Sequence, residues 1–198
     1  TEHPVELNLL EVISLTAEKF PQELELNIDE SKIKSFIIDR FKGYLKDKGY
    51  SVDKIEAILA TDSNHLHLVQ PRLAAIDEFL KTDDAIALAT ANKRIKNILK
   101  KNNADNHDRV EARLFSTEEE ESLYKKIQTL MPKVAKAIDQ MRYSDALKTL
   151  STVRNEVDFF FEEVMVMSDD PAERANRLGL LSQLSALLNC VGDLSELS

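Results

Sequence analysis

The sequence predicts an all-α protein, a helical bundle of about seven or eight helices. Only 4 Gly and 5 Pro occur among its 198 residues, too few for the many turns of an all-β fold. Apolar residues recur three and four positions apart through most of the chain, which is the helical period. No segment alternates apolar and polar residues as a half-buried strand does.

The first half of the chain predicts five helices separated by turn residues. The first two run from Pro4 to Phe20 and from Ser31 to Lys48, and a left-handed cap at Gly49 ends the second. The third begins at a cap at Ser51 or Asp53 and continues through Leu59. The last two run from Pro71 to Lys81 and from a cap at Thr82 or Asp83 to Lys101. Residues 21–30 predict a connector and residues 61–70 a loop, because they lack helical periodicity.

The second half begins with a polar loop over residues 102–116. Thr117 and Glu120 then match a capping box, and a long apolar period follows them. Pro132 lies inside this period and predicts a kink or break near Met131, because proline has no backbone N–H to donate.

Two further helical patterns complete the chain. The first is the most regular and extends from Tyr143 to Met167. Residues 168–171 (SDDP) then predict the end of that helix, followed by a cap and a first-turn proline for the next one. The second carries a stripe of leucines and is closed by Gly192. The stripe consists of Leu178, Leu181, Leu184, Leu188 and Val191, widened by Leu180 and Leu187.

The bulk composition is typical of a soluble globular protein, and no apolar run reaches the roughly 18 residues of a membrane span. The formal net charge of −9 argues against nucleic-acid binding over the whole surface. Screening limits each charge to roughly 8 Å at physiological salt, which leaves room for a local basic patch. The single cysteine, Cys190, excludes an internal disulfide and fits a reducing, cytoplasmic compartment. Because the chain starts at Thr1 and has no leader segment, we expect a processed product or an excised part of a longer protein.

No catalytic constellation is evident in the sequence. The four glycines are scattered, so no phosphate-binding loop is present. His65 and His67 could offer two metal ligands, but no third ligand is near them in sequence, and two exposed loop histidines are the favoured interpretation. Cys190 has no neighbouring base and is expected to be a buried structural thiol. We therefore expect no catalytic residue, no metal and no cofactor in this chain.

The helix predicted over residues 83–101 holds the densest positive charge in the chain. One face carries apolar residues around Ile95, and Asn92 lies near enough to that face to anchor the helix to a neighbour. The opposite face carries the candidate nucleic-acid-binding residues Lys93, Arg94, Lys96, Asn97, Lys100 and Lys101. Lysine and arginine can contact phosphates, and asparagine can bond base edges, but the same face could be an ordinary solvated surface.

Four further arginines are secondary candidates. They include Arg142 and Arg154, of which Arg154 could simply pair with Asp158 four residues on. Arg174 and Arg177 lie near the start of a helix, where cations are disfavoured. We expect a partner for these two, either the carboxylate of Asp169 or Asp170 or a phosphate. The consecutive Phe159, Phe160 and Phe161 predict mainly core packing, with stacking on a base as the alternative.

Several stretches together resemble one known family. They are Arg40-Phe41, Lys48-Gly49-Tyr50, residues 57–60 (AILA), residues 89–99 (ATANKRIKNIL), residues 142–147 (RYSDAL), residues 157–167 (VDFFFEEVMVM) and residues 174–178 (RANRL). In this order and spacing they look like the C-terminal part of the β subunit of bacterial two-subunit glycyl-tRNA synthetase. The resemblance covers nearly the whole chain and is weakest before about Ile28.

This resemblance implies a function and partners. The family's enzyme joins glycine to its tRNA with ATP in an α2β2 assembly, in which the α subunit holds the ATP- and Mg²⁺-dependent active site and the β subunit binds tRNA. Its C-terminal helical domain is similar to the anticodon-binding domain of arginyl-tRNA synthetases, named DALR for an Asp-Ala-Leu-Arg motif. Residues 170–174 keep the acid and Arg174 of that motif but have Glu173 where an apolar residue is expected.

The resemblance also implies a domain organisation. Residues 1–82 would form a helical connecting region, and residues 83–198 a DALR-like domain that binds the anticodon stem-loop of glycine tRNA, with neither DNA nor a membrane as partner. The alternative is a helical protein–protein docking domain within a synthetase assembly that makes no direct contact with RNA.

Overall fold

The computed structural model describes residues 7–20, 28–104 and 109–197. These residues form nine α-helices and no strand, which confirms the predicted all-α class. The helices are α1 (Leu9–Ala17), α2 (Glu30–Asp47), α3 (Val52–Thr61), α4 (Val69–Phe79), α5 (Asp83–Lys101), α6 (Glu118–Asp139), α7 (Tyr143–Ser151), α8 (Arg154–Glu163) and α9 (Pro171–Leu188). Short 3₁₀ turns lie at Leu66–Leu68, Ala112–Leu114 and Leu194–Leu197.

Helix α9 runs through the centre of the bundle. Leu180, Leu181, Leu184 and Leu188 are fully buried, and α5 and α6 both pack against this helix. Because its leucines face more than one neighbour, the apolar surface of α9 is wider than one stripe, as the sequence predicts. Helices α3 and α4 contribute to the same hydrophobic cluster as α5–α9. The domain boundary proposed at residue 82 stays a prediction.

Several caps predicted from local sequence form as expected, whereas Ser51 precedes α3 without a side-chain cap hydrogen bond. The Thr117 hydroxyl accepts from the Glu120 N–H at 3.3 Å, and the Glu120 carboxylate accepts from the Thr117 N–H at 3.1 Å, which completes the capping box. The Thr82 hydroxyl caps α5 by accepting from the Ala85 N–H. Gly49 ends α2 with a φ of +93°, the left-handed conformation that glycine adopts without strain.

The sequence predicts a kink or a break near Met131. The break does not occur, since α6 continues from Glu118 to Asp139 with Pro132 inside it, and the kink stays a prediction. Buried Leu130 and Val134 flank the proline and anchor the helix to the core on both sides. Tertiary packing therefore outweighs the one backbone hydrogen bond that proline cannot make.

The regular pattern from Tyr143 to Met167 is not one helix. It divides into α7 and α8 around a turn at Thr152, and residues 164–167 lie beyond the end of α8. Val164 has extended backbone angles (φ −104°, ψ 117°). Val164 and Val166 are buried whereas Met165 and Met167 are exposed, because successive side chains of an extended segment point to opposite sides. An apolar spacing of three or four residues can therefore arise without a continuous helix.

Smaller differences concern the ends of elements. Helix α4 begins at Val69, within the predicted loop and before Pro71, and α9 ends at Leu188 rather than at Gly192. A Cβ at Gly192 would lie 2.9 Å from Ile76 Cδ1, so this glycine permits close packing rather than a helix cap. The predicted start at Pro4 and most of the connector 21–30 lie outside the described residues. No helix among the described residues combines the length and the apolar character needed to cross a bilayer.

Candidate nucleic-acid interface

Helix α5 packs one face into the core and leaves the other exposed, as its periodicity predicts. Leu88, Ile95 and Leu99 are buried, together with Asn92. The Asn92 amide donates to Asn189 Oδ1 at 2.7 Å, which ties α5 to the end of α9. The predicted anchoring role of Asn92 is thus confirmed, and its buried donor is satisfied.

Lys96 is committed to the fold. Its ammonium lies 2.7 Å from Asp193 Oδ2 and 2.9 Å from Glu196 Oε1, both on the C-terminal segment. Partial burial lowers the pKa of Lys96, but its hydrogen bonds to these two carboxylates outweigh burial and raise the pKa above its usual value. The sequence does not reveal this pairing, because the segment that packs along the edge of α5 is 97 residues away.

The other five candidates on α5 remain on its exposed face. Lys93, Arg94, Asn97, Lys100 and Lys101 are all exposed. Within the described part of the chain, neither Lys100 nor Lys101 makes an ion pair with a carboxylate. Both stand in the last turn of α5, where the helix dipole favours a cation. The outer surface of α5 therefore carries four cations and one amide without Lys96; we call these five residues the α5 face.

An aromatic ring borders the α5 face. The guanidinium of Arg94 lies 4.2 Å from the centroid of Phe161. Phe161 is half-buried and packs edge-on against the buried Phe160, whereas Phe159 is exposed. The guanidinium thus lies over a ring that the core supports, a cation–π contact worth about 0.5–1 kcal/mol at an exposed site. Planar guanidinium groups held in this way can stack on bases or donate to phosphates.

Arg142 and Arg154 have partners within the protein. Arg142 lies 2.9 Å from Asp145 Oδ2. Arg154 pairs with Asp158 at 3.5 Å, as predicted, and more closely with Asp84 at 2.6 Å at the start of α5. Both pairs are partly exposed, so they leave these arginines only weakly committed to the fold.

Arg177 is buried and serves the fold. Its guanidinium donates to Glu120 Oε1 at 2.9 Å, to the Ser116 hydroxyl at 2.7 Å and to the Met165 carbonyl at 2.8 Å. It thereby joins α9, the start of α6 and the segment after α8. The sequence predicts Asp169, Asp170 or a phosphate as the partner of Arg177, but the partner is Glu120. The sequence around Glu120 indicated only its role in the capping box.

Arg174 also has a different partner from the one expected. It donates to the Ser168 carbonyl at 3.0 Å, while the Asp170 carboxylate caps α9. Glu173, which departs from the DALR motif, accepts from the Ser168 hydroxyl at 2.9 Å and lies 3.4 Å from Arg177 Nη2. A polar residue is accommodated at this position because it has two polar neighbours.

The remaining polar candidates have local roles. His65 Nδ1 lies 2.8 Å from Asp62 Oδ2. Among the described residues, no three His, Cys, Asp or Glu side chains are grouped closely enough to hold a metal ion. Burial raises the pKa of the Cys190 thiol to about 11, so little thiolate forms near neutrality.

Residues 88–194, just over half of the chain, match a protein-family model described as the DALR anticodon binding domain. The whole length also aligns with curated proteins. A protein of Ralstonia nicotianae is 41% identical over 197 residues, one of Delftia acidovorans is 41% identical over 167 residues, and one of Aromatoleum aromaticum is 38% identical over 198 residues. Each of these proteins is named glycine–tRNA ligase beta subunit. The chain spans between 24% and 28% of their lengths.

Proposed function

The chain belongs to the DALR anticodon-binding domain family, and on that premise we propose that it binds the anticodon stem-loop of glycine tRNA as part of a glycine–tRNA ligase β subunit. The substrate follows from its relatives, which are 38–41% identical and carry that name. The chain itself acts as a binding module.

One observation carries the proposal: the α5 face presents four cations and one amide that are all exposed on the same side of one helix. Recognition of an RNA loop needs cations for the phosphates, hydrogen-bonding groups for base edges and flat groups for stacking. Lys93, Lys100 and Lys101 supply the first kind of group, Asn97 the second, and Arg94 on Phe161 the third.

The overall charge of −9 is compatible with this role. Charges farther away than a Debye length of about 8 Å are largely screened, so a phosphate close to α5 interacts mainly with the cations of that helix. The acidic remainder of the surface disfavours RNA elsewhere, which helps to define the orientation of the complex.

In the complete cytoplasmic enzyme, this module would hold the tRNA while an α subunit joins glycine to it. The ATP- and Mg²⁺-dependent chemistry would then reside in the α subunit of an α2β2 assembly. In that arrangement the module contributes affinity and orientation.

The test is binding of a fluorescently labelled glycine anticodon stem-loop to the chain, measured by anisotropy over a range of salt concentrations. We expect the double variant Lys100→Gln, Lys101→Gln to bind about tenfold more weakly, because two lysines that neutralise phosphates are removed. The slope of log K against the logarithm of the salt concentration should become shallower by about 0.7–0.9 for each phosphate that the variant no longer neutralises.

The matched control is Lys133→Gln with Lys136→Gln on α6, which removes the same charge from two exposed lysines. This control should bind the stem-loop with nearly unchanged affinity. Equal weakening by the two double variants would mean that only net charge matters, and unchanged binding by the α5 variant would refute the site. In either case the protein–protein docking alternative would gain support.

A further inference from the structure

Helices α1 and α2 form a hairpin that buries little of its own apolar surface. Each contributes a single buried residue, Ile13 and Leu45 respectively. Six large apolar side chains of the hairpin are each between 38% and 59% exposed. They are Leu10, Val12, Leu15, Phe20, Ile33 and Phe36. We call this surface the hairpin face.

Three of these side chains, Val12, Phe20 and Ile33, line a groove of about 630 Å³ along the two helices. Most of its other walls are aliphatic, and its polar lining consists of Thr16, Asp29 and Lys32. Isolated exposed apolar residues are ordinary, but a contiguous apolar surface of this kind usually marks an interaction site. The hairpin face therefore requires a partner surface.

Helix α2 is rich in cations, and one of them, Lys32, lines the groove. Residues 30–48 contain six Lys or Arg against three Asp or Glu, in a chain whose net charge is −9. Arg40 lies over the ring of exposed Phe36 at 5.1 Å, and Lys48 lies over exposed Tyr44 at 5.6 Å. The complementary surface should be apolar at its centre with carboxylates at its edge.

The hairpin stands outside the residues 88–194 that match the DALR family model. It joins the bundle through packing of α2 on α3 and through a hydrogen bond of 2.9 Å from the Leu9 N–H to the Asn64 carbonyl. These attachments leave the hairpin face uncovered by the other described helices.

We propose that the hairpin face docks onto another part of a longer polypeptide to which this chain corresponds. The aligned chain spans 28% of the Ralstonia relative, so nearly three quarters of that protein lies outside the alignment. That additional polypeptide is a covalently linked source of partner surface, and linkage supplies a high effective concentration. This inference rests on the relatives' length and the hairpin's exposure, and it does not depend on tRNA binding.

Two other occupants fit less well. A second copy would bring the same cation-rich α2 rather than carboxylates to the interface, so the charges of the two surfaces would not be complementary. RNA would meet an aliphatic groove with few groups able to hydrogen-bond base edges. Both remain as outcomes of the test.

The test compares the chain alone with a full-length chimaera in which it replaces the aligned part of the Ralstonia relative. The single substitutions Leu15→Cys and Phe36→Cys each add one thiol that reports on one of the two helices, and Ile86→Cys, 58% exposed on α5, is the matched control. The native Cys190 gives a low background, because its pKa of about 11 slows alkylation.

We expect Leu15→Cys and Phe36→Cys to be alkylated at least about tenfold more slowly in the chimaera than in the chain alone, because a covered thiol reacts only when the interface opens. Ile86→Cys should react equally fast in both. Amide hydrogen exchange provides a second measurement that needs no substitution. Without any introduced cysteine, the amides of α1 should exchange more slowly in the chimaera than in the chain alone. This measurement stays valid if a cysteine variant disturbs folding or docking.

Equal alkylation and equal exchange in both proteins would overturn the proposal. Protection of the chain alone that increases with its own concentration would assign the hairpin face to a second copy and overturn it too. Protection of the chimaera that appears only when glycine tRNA is added would assign the face to RNA and overturn it as well. If the hairpin face is protected in the chimaera but the Lys100→Gln, Lys101→Gln variant binds the stem-loop unchanged, this inference is supported and the proposed RNA-binding site is refuted.

Discussion

Replacing Arg177 by methionine should be among the most destabilising single substitutions in this protein. The Arg177 side chain is 6% exposed and makes close polar contacts with Glu120, Ser116 and the Met165 carbonyl. Methionine has a similar length and no charge, so it can fill the space without donating a hydrogen bond. The substitution leaves the Glu120 carboxylate, whose side chain is 0% exposed, without its counterion.

The expected cost follows from that burial. Removing one partner of a buried ion pair typically costs about 3–5 kcal/mol, since the other charge stays in a poorly solvated site. Glu120 keeps three contacts as a capping residue, to the N–H and hydroxyl of Ser116 and to the Thr117 N–H. We therefore expect about 3 kcal/mol, the lower end of the range. For a chain of this size, this corresponds to a melting temperature lower by about 6–12 °C.

The dependence on pH separates the charge effect from poorer packing. Burial raises the pKa of Glu120, but its hydrogen bonds to Arg177 and to the Ser116 N–H outweigh burial and lower the pKa below its ordinary value. A lowered carboxyl pKa contributes stability above the unfolded pKa of about 4.3, and that contribution is lost as pH falls through the folded pKa. The difference in unfolding free energy between wild type and Arg177→Met should therefore shrink below about pH 4.3.

The assay is urea unfolding followed by circular dichroism at pH 7 and at pH 4, with Glu120→Gln and the double variant completing a cycle. Glutamine keeps a capping-box acceptor at Glu120 while removing the charge. The double variant should be more stable than the sum of the two single losses predicts. Additive losses, or a penalty for Arg177→Met that is the same at both pH values, would refute the ion-pair account.

Two further predictions concern glycine conformation and Lys96. Gly49→Ala should destabilise the protein by about 1 kcal/mol because its φ of +93° strains any residue with a Cβ, whereas Gly43→Ala, in open space within α2, should stabilise it by up to about 1 kcal/mol. Urea unfolding of both variants checks the sign, and a loss at both glycines would contradict the argument. Lys96→Gln should cost about 0.5–1 kcal/mol through its partly exposed pairs with Asp193 and Glu196. It should weaken stem-loop binding less than the double α5 variant does, and equal weakening would return Lys96 to the RNA-binding surface.

Local signals in the sequence predict the fold class and most helix ends. The capping box at Thr117, the left-handed Gly49 and the Thr82 cap depend only on residues within a few positions, so they can be inferred without tertiary structure. The division of residues 143–167 could not be inferred, because apolar spacing does not distinguish a helix from shorter pieces joined by an extended segment.

The candidate interface on α5 is harder to predict from sequence, because a cation there can pair either with a carboxylate of the protein or with an external ligand. Lys96 and Lys100 are the same residue type on the same helix, four positions apart and without a local feature that separates them. Lys96 is held by Asp193 and Glu196, whereas Lys100 projects from the last turn without an ion pair among the described residues. A periodicity argument can assign both lysines to one polar surface, but it cannot reveal a distant segment that occupies the edge of that surface.

Arg177 and Arg94 also differ in the partner that holds each guanidinium group. The partner of Arg177 lies 57 residues away and consumes its hydrogen-bonding capacity, so no donor of consequence is left for a phosphate. Arg94 is held by the ring of Phe161, which orients the guanidinium without using its N–H groups. A ring contact leaves the N–H groups of an arginine able to donate to a ligand, whereas a buried carboxylate uses them. This difference favours Arg94 over Arg177 for the proposed contact with RNA.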